Sequence, residues 1–123
     1  MYRLCVKEHF DAAHSLRGYP GDCAKLHGHT WDVEVQVEGE RLNEIEIVYD
    51  FRRLKQDLRE VLDRFDHKHL NEVAPFDRLS PTGENLARHI FEELERRIGE
   101  EVRVVRVNVW ESPQACISYE GKR

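Results

Sequence analysis

From His27 to Glu38 the chain alternates without a break. His27, His29, Trp31, Val33, Val35 and Val37 share one parity, and Thr30, Asp32, Glu34, Gln36 and Glu38 the other. A period of two belongs to a β-strand with one buried and one wet face, and it commits two imidazoles to the buried side. A second run, Leu4, Val6, Phe10, Ala12 and His14 against Arg3, Lys7 and Asp11, predicts another strand whose apolar face ends in His14. Arg17 to Asp22 is built of turn residues and reads as a loop. Pairing the two strands side by side and antiparallel brings His14, His27 and His29 together at the loop end. Buried imidazoles need partners, and one metal ion satisfies all three. Three nitrogen ligands with a vacant fourth position is the catalytic zinc pattern; taken singly, each histidine is more often an ordinary core or surface residue.

Two helices are expected next. Asp50 suits an N-cap before Phe51, Leu54, Leu58, Val61, Leu62 and Phe65. Ser80-Pro81-Thr82 opens the second, with Pro81 in its first turn, a stripe of Leu86, Ile90, Leu94 and Ile98, and Gly99 as the stop. A strand from Val102 to Glu111, a break at Ser112-Pro113 and a short strand through Ala115, Ile117 and Tyr119 complete the order ββααββ. The expectation is one α+β domain over residues 1–123, a four-stranded antiparallel sheet with two helices on one face. Its open edges call for neighbouring subunits.

A net charge of −5 argues against nucleic acid as a partner. No run of residues reaches transmembrane length, and the N-terminus lacks an apolar signal core, so no membrane partner is expected. Three cysteines without a Cys-x-x-Cys fit a reduced, cytoplasmic protein.

Three further positions carry chemistry. Val105, Val107, Val109 and Glu111 share a parity, so a carboxylate ends an apolar stripe. Either the strand reaches solvent there, or Glu111 accepts paired N–H donors from a pterin or purine edge. Asp66 and His67 follow the first helix and fit a polar helix end, or an acid/base pair if the helix has stopped, because neighbours on a helix do not face each other. Cys23 lies in a polar loop beside Asp22 and Lys25, where a metal and Lys25 would favour thiolate; it is a base, or else a fourth ligand closing a structural site.

Phe10-Asp11-Ala12-Ala13-His14, Cys23-Ala24-Lys25-Leu26-His27-Gly28-His29, Val48-Tyr49-Asp50-Phe51, Phe65-Asp66-His67-Lys68-His69-Leu70-Asn71, Pro81-Thr82-Gly83-Glu84-Asn85-Leu86-Ala87 and Trp110-Glu111-Ser112 run in this order almost end to end. The series resembles the 6-pyruvoyl-tetrahydropterin synthase / 6-carboxy-tetrahydropterin synthase family. The resemblance implies the tunnelling fold, with sheets paired edge to edge between subunits, commonly a hexamer of two stacked trimers with active sites at subunit interfaces. It implies zinc on His14, His27 and His29, Cys23 as proton-abstracting base, His67 assisted by Asp66 as its acid/base partner, Glu111 as pterin anchor, and Thr82 and Glu84 at the pocket. The spacing from Cys23 to His27 is similar to the bacterial branch that makes 6-carboxy-tetrahydropterin for queuosine and related deazapurines. That branch converts 7,8-dihydroneopterin triphosphate, releasing acetaldehyde and triphosphate, and Lys25 would screen the phosphates. A 6-pyruvoyl-tetrahydropterin synthase or another pterin side-chain lyase is the alternative, and a non-catalytic zinc-binding assembly module the reading from another class. Two departures stand out: His69 replaces a more familiar aromatic or amide residue, and Glu46-Ile47-Val48-Tyr49-Asp50 lacks a glycine.

Overall fold

A computed structural model describes residues 1–21 and 24–121. Strands β1 (Tyr2–His14) and β2 (His27–Gly39) pair antiparallel along their whole length, from Tyr2 opposite Gly39 to His14 opposite His27. Helix α1 (Phe51–Asp63), a short strand β3 (Lys68–His69), helix α2 (Gly83–Arg97), β4 (Arg103–Ser112) and β5 (Ala115–Tyr119) follow. The sheet order is β3-β1-β2-β4-β5. The α+β architecture is the one expected, with one correction: the sheet has five strands, not four, and is mixed, because β3 runs parallel to β1. Two residues carry no periodicity to read. They join the sheet because the chain turns through a left-handed conformation at His67 (φ 59°), whose N–H donates to the Asp11 carbonyl at 2.6 Å.

The buried parity of β1 and β2 holds. Phe10, Trp31, Val33, Val35 and Val37 are inaccessible and pack with Leu54, Leu58 and Leu62 of α1 and Leu86, Ile90 and Leu94 of α2. Each such side chain contributes roughly 1.5–3 kcal/mol, so both helices are held to this one face. The parity expected for β4 is only half right. Val107 and Val109 are buried, but Val104 rather than Val105 continues the stripe. A bulge opposite Gln36 and Val37 inserts Val105 as an extra residue and flips the alternation beyond it.

Asp50 caps α1, its Oδ1 accepting from the Arg52 N–H at 2.8 Å, although Phe51 stays 53% exposed. In α2 the cap is Thr82, whose hydroxyl accepts from the Asn85 N–H at 3.1 Å. Pro81 therefore stands before the cap and not in the first turn, which leaves its carbonyl free to serve the site below.

A candidate metal centre and the acid–base pair beside it

Antiparallel pairing places His14, His27 and His29 at one end of the β1–β2 ribbon, and parity turns His14 and His29 toward α2 with Trp31 beneath them. The ring centroids lie 4.6 to 5.1 Å apart, and the potential ligand atoms all within 4.8 Å of one another. His14 is 1% exposed. Its Nδ1 donates to the Pro81 carbonyl at 2.7 Å, and His27 Nδ1 donates to the Lys25 carbonyl at 2.7 Å. His29 bonds to the backbone of Glu111. A carbonyl can only accept, so Nδ1 of His14 and of His27 carries the proton and the lone pair sits on Nε2. The Nε2 atoms of His14 and His29 are buried without a partner.

Burial lowers the pKa of His14 to about 4. Burial also lowers that of His29, reinforced by His27 and opposed by the Glu111 carboxylate. Burial thus favours the neutral form of His14 and His29, with two lone pairs buried and unused. Orphaned buried acceptors of this kind are costly, and a divalent cation fits the donor set. Backbone carbonyls that fix the opposite nitrogen are the usual outer support of histidine ligands. Cys23, the expected base or fourth ligand, lies outside the described residues.

The expected Asp66–His67 pair is formed. Helix α1 has stopped at Asp63, and the left-handed turn at His67 swings its ring back onto the preceding side chain. His67 Nδ1 meets Asp66 Oδ1 at 3.0 Å, and the same oxygen accepts from the Asp11 N–H at 3.0 Å. That backbone bond above all, with His67 and Arg59 adding to it, holds the Asp66 carboxyl below the usual range. Arg59 ties the region together: Nη1 donates to the His9 carbonyl at 2.9 Å, Nε to Asp63 at 2.8 Å, and Nη2 lies 3.9 Å from Asp66 Oδ2. Asp11 also takes the Thr30 hydroxyl at 2.6 Å. Asp11 and Thr30 have the parity opposite to that of His14 and His29, so this group stands on the solvent face of the sheet. The His67 side chain is 77% exposed. His67, Lys68, His69, Gly28, Thr30 and His29 border an open cleft of about 570 Å³ there.

Glu111 is half-buried, its strand register shifting between Trp110 and Ser112. Its Oε1 lies 3.2 Å from where a Cβ on Gly83 would sit, which places the carboxylate at the first turn of α2. That same Cβ would overlap Ile117 Cδ1, so any larger residue has to push the end of that side chain aside. Thr82 is occupied as the cap, Glu84 is exposed in the first turn, and Lys25 is exposed while giving its carbonyl to His27. Sequence reasoning missed Pro81, Asp11, Thr30 and Arg59. The Pro81 contribution is a carbonyl, which leaves no side-chain signal. Asp11 and Thr30 do share a parity, and their opposition across the ribbon was there to be found.

The family model described as 6-pyruvoyl tetrahydropterin synthase matches residues 3–122. The chain belongs to that family. It is similar to the 6-carboxy-5,6,7,8-tetrahydropterin synthase of Haemophilus influenzae, 28% identical over 98% of this chain and 99% of the relative. It is also similar to the dihydroneopterin monophosphate aldolase of Pyrococcus furiosus, 33% identical over 96% of each. The structure superposes on the 6-pyruvoyl tetrahydropterin synthase of Caenorhabditis elegans with a TM-score of 0.89 at 28% identity, covering 98% and 96% of the two chains. The fold is the tunnelling fold of this family.

Proposed function

We propose that the protein is a zinc-dependent 6-carboxy-5,6,7,8-tetrahydropterin synthase acting on 7,8-dihydroneopterin triphosphate. The observation that carries this reading is the clustered histidine trio, one buried and two half-buried, two of them with idle, buried Nε2 atoms, tied through His29 to the backbone of Glu111. A metal position and a carboxylate that can accept the paired N–H groups of a pterin are thereby held in one frame. His14, His27 and His29 hold the zinc, which when bound supplies the Lewis acidity that makes protons beside the side-chain hydroxyls easier to remove. Cys23 thiolate takes such a proton, and Lys25 favours the thiolate. His67, its ring oriented by Asp66, moves a proton at the opposite side of the side chain. Thr82 and Glu84 shape the pocket from the start of α2. Triphosphate leaves by elimination, and a water molecule then adds as the bond between the first and second side-chain carbons breaks, leaving a carboxylate on the pterin and releasing acetaldehyde, the chemistry that supplies the queuosine pathway.

The assembly is a homohexamer, a dimer of trimers, in a cytoplasmic setting. Two observations support shared sites. The His67 side chain is 77% exposed on the solvent face of the sheet, open to the centre of a neighbouring copy. Among the described residues β3 pairs only with Ala12 and Ala13, which leaves the rest of the β1 edge to be covered. No described helix is long and apolar enough to cross a membrane.

A dihydroneopterin monophosphate aldolase is the second reading, favoured by the near-complete match to the Pyrococcus furiosus relative. Incubation of the zinc-loaded protein with each substrate, followed by mass spectrometry, separates them. Acetaldehyde and a 6-carboxy pterin from the triphosphate are expected. Pyruvoyl product, or cleavage of the monophosphate alone, discards the synthase assignment in favour of another side-chain lyase.

A further inference from the structure

We propose that Lys68 binds the phosphate chain of the pterin substrate at the site His67 serves. This inference rests on the functional reading above and deepens it. In dihydroneopterin triphosphate the side chain has three carbons: two bear hydroxyls and the third the phosphate ester. A group that moves a proton on the hydroxyl-bearing carbons therefore stands one or two carbons from the bridging oxygen of the phosphate. As the C–O bond breaks, its electron pair leaves with the triphosphate, while the pair from the broken C–H bond forms the new C=C bond. The negative charge thus grows close to His67, and a cation is needed there.

Lys68 is placed for that task. Its segment is fastened to β1 at every step: Asp66 to the Asp11 N–H, the His67 N–H to the Asp11 carbonyl, Lys68 and His69 beside Ala12 and Ala13, and the Asn71 side chain to both the N–H and carbonyl of Ser15 at 2.9 and 3.0 Å. The backbone that launches Lys68 is accordingly rigid, and the residue is exposed on the same cleft as His67 and His69. The nearby cations are already committed. Arg59 holds Asp63 and the His9 carbonyl, Arg17 donates to the carbonyls of Phe76, Asp77 and Arg78, and Arg64 donates to that of Ala74. The Lys68 ammonium alone on this cleft, among the described residues, has neither hydrogen bond nor ion pair. The cleft carboxylate of Asp11 is engaged by Thr30, and the neighbouring Asp66 by His67. A lysine on a flexible stem can follow a departing polyphosphate, which a rigid fork cannot.

The test uses the zinc-loaded full chain as wild type, Lys68→Met and Lys68→Arg. It compares kcat/KM for dihydroneopterin triphosphate, the affinity for inorganic triphosphate by calorimetry, and inhibition by unphosphorylated dihydroneopterin. Lys68→Met is expected to lower kcat/KM and triphosphate affinity about 10- to 100-fold, the range of one charged hydrogen bond, with dihydroneopterin inhibition unchanged and much of the loss restored by Lys68→Arg. Unchanged triphosphate affinity, or an equal loss for the unphosphorylated pterin, overturns the inference alone. No turnover of any phosphorylated pterin by the wild type overturns the functional reading and this inference with it.

Discussion

Two faces of the same strand ends make opposite environments. On the helix side, His14 is dry and His29 half-buried, both bonded to backbone and both pushed toward the neutral form by burial. On the solvent side, Asp66 and His67 are wet and paired, and the carboxyl is held ionised by a backbone N–H. Alternation along β1 and β2 turns the imidazoles to one side and leaves Asp11 and Thr30 on the other, where the backbone of Asp11 holds the Asp66–His67 segment. A metal site needs lone pairs that protons do not contest, whereas a proton shuttle needs water, charge and movement. Under the proposed function one ribbon serves both, because successive residues point opposite ways: the imidazoles toward the helices, and Asp11, which docks Asp66 and His67, toward solvent.

The contrast can be broken most sharply by mutating each face in turn. His14→Ala is expected to abolish turnover and metal retention together. His67→Ala should leave one metal per chain and cut kcat by about 10²- to 10⁴-fold, the range for losing a general acid or base. Metal loss in His67→Ala, measured by elemental analysis, would erase the division of labour.

Next in size is the pH dependence of the metal-free protein. The folded pKa of His14 is about 4 against an ordinary 6.5. Between these values the unfolded chain binds the proton and the folded one does not, so stability falls as pH drops through that window. The loss is on the order of 3 kcal/mol when complete. Urea midpoints from pH 7 to 4 should show it, and His14→Gln should flatten the profile. A wild-type midpoint constant from pH 6.5 to 4 would mean that His14 is not held neutral by the fold.

The smallest effect concerns the bridge between the two faces. Gly83→Ala forces Ile117 or Glu111 aside and is expected to cost about 1–3 kcal/mol, as overpacking does. Thermal melting reads the cost, and a raised KM with little change in kcat would read the displaced carboxylate.

Much of this was legible in the chain because alternation is a long signal and the ribbon of β1 and β2 is unbroken over it. The three histidines could be placed together before any coordinates. Val105 could not be placed, because a bulge leaves composition untouched and shifts only the phase. β3 was invisible for a different cause: it exists through the left-handed turn at His67 and the Asp11 carbonyl, not through its own residues. The Asp66–His67 contact needed to know where α1 ended, and the pattern through Phe65 overran that point by two residues. Pro81 was read as a helix starter, yet its carbonyl orients the most buried imidazole.

The central claim is that His14, His27 and His29 together hold one divalent cation. Zinc titrated by calorimetry into the metal-free full chain tests it directly, alongside His29→Ala. One zinc per chain is expected for the wild type, with that binding lost in the variant. No binding by the wild type, or the same affinity and stoichiometry without His29, would contradict it.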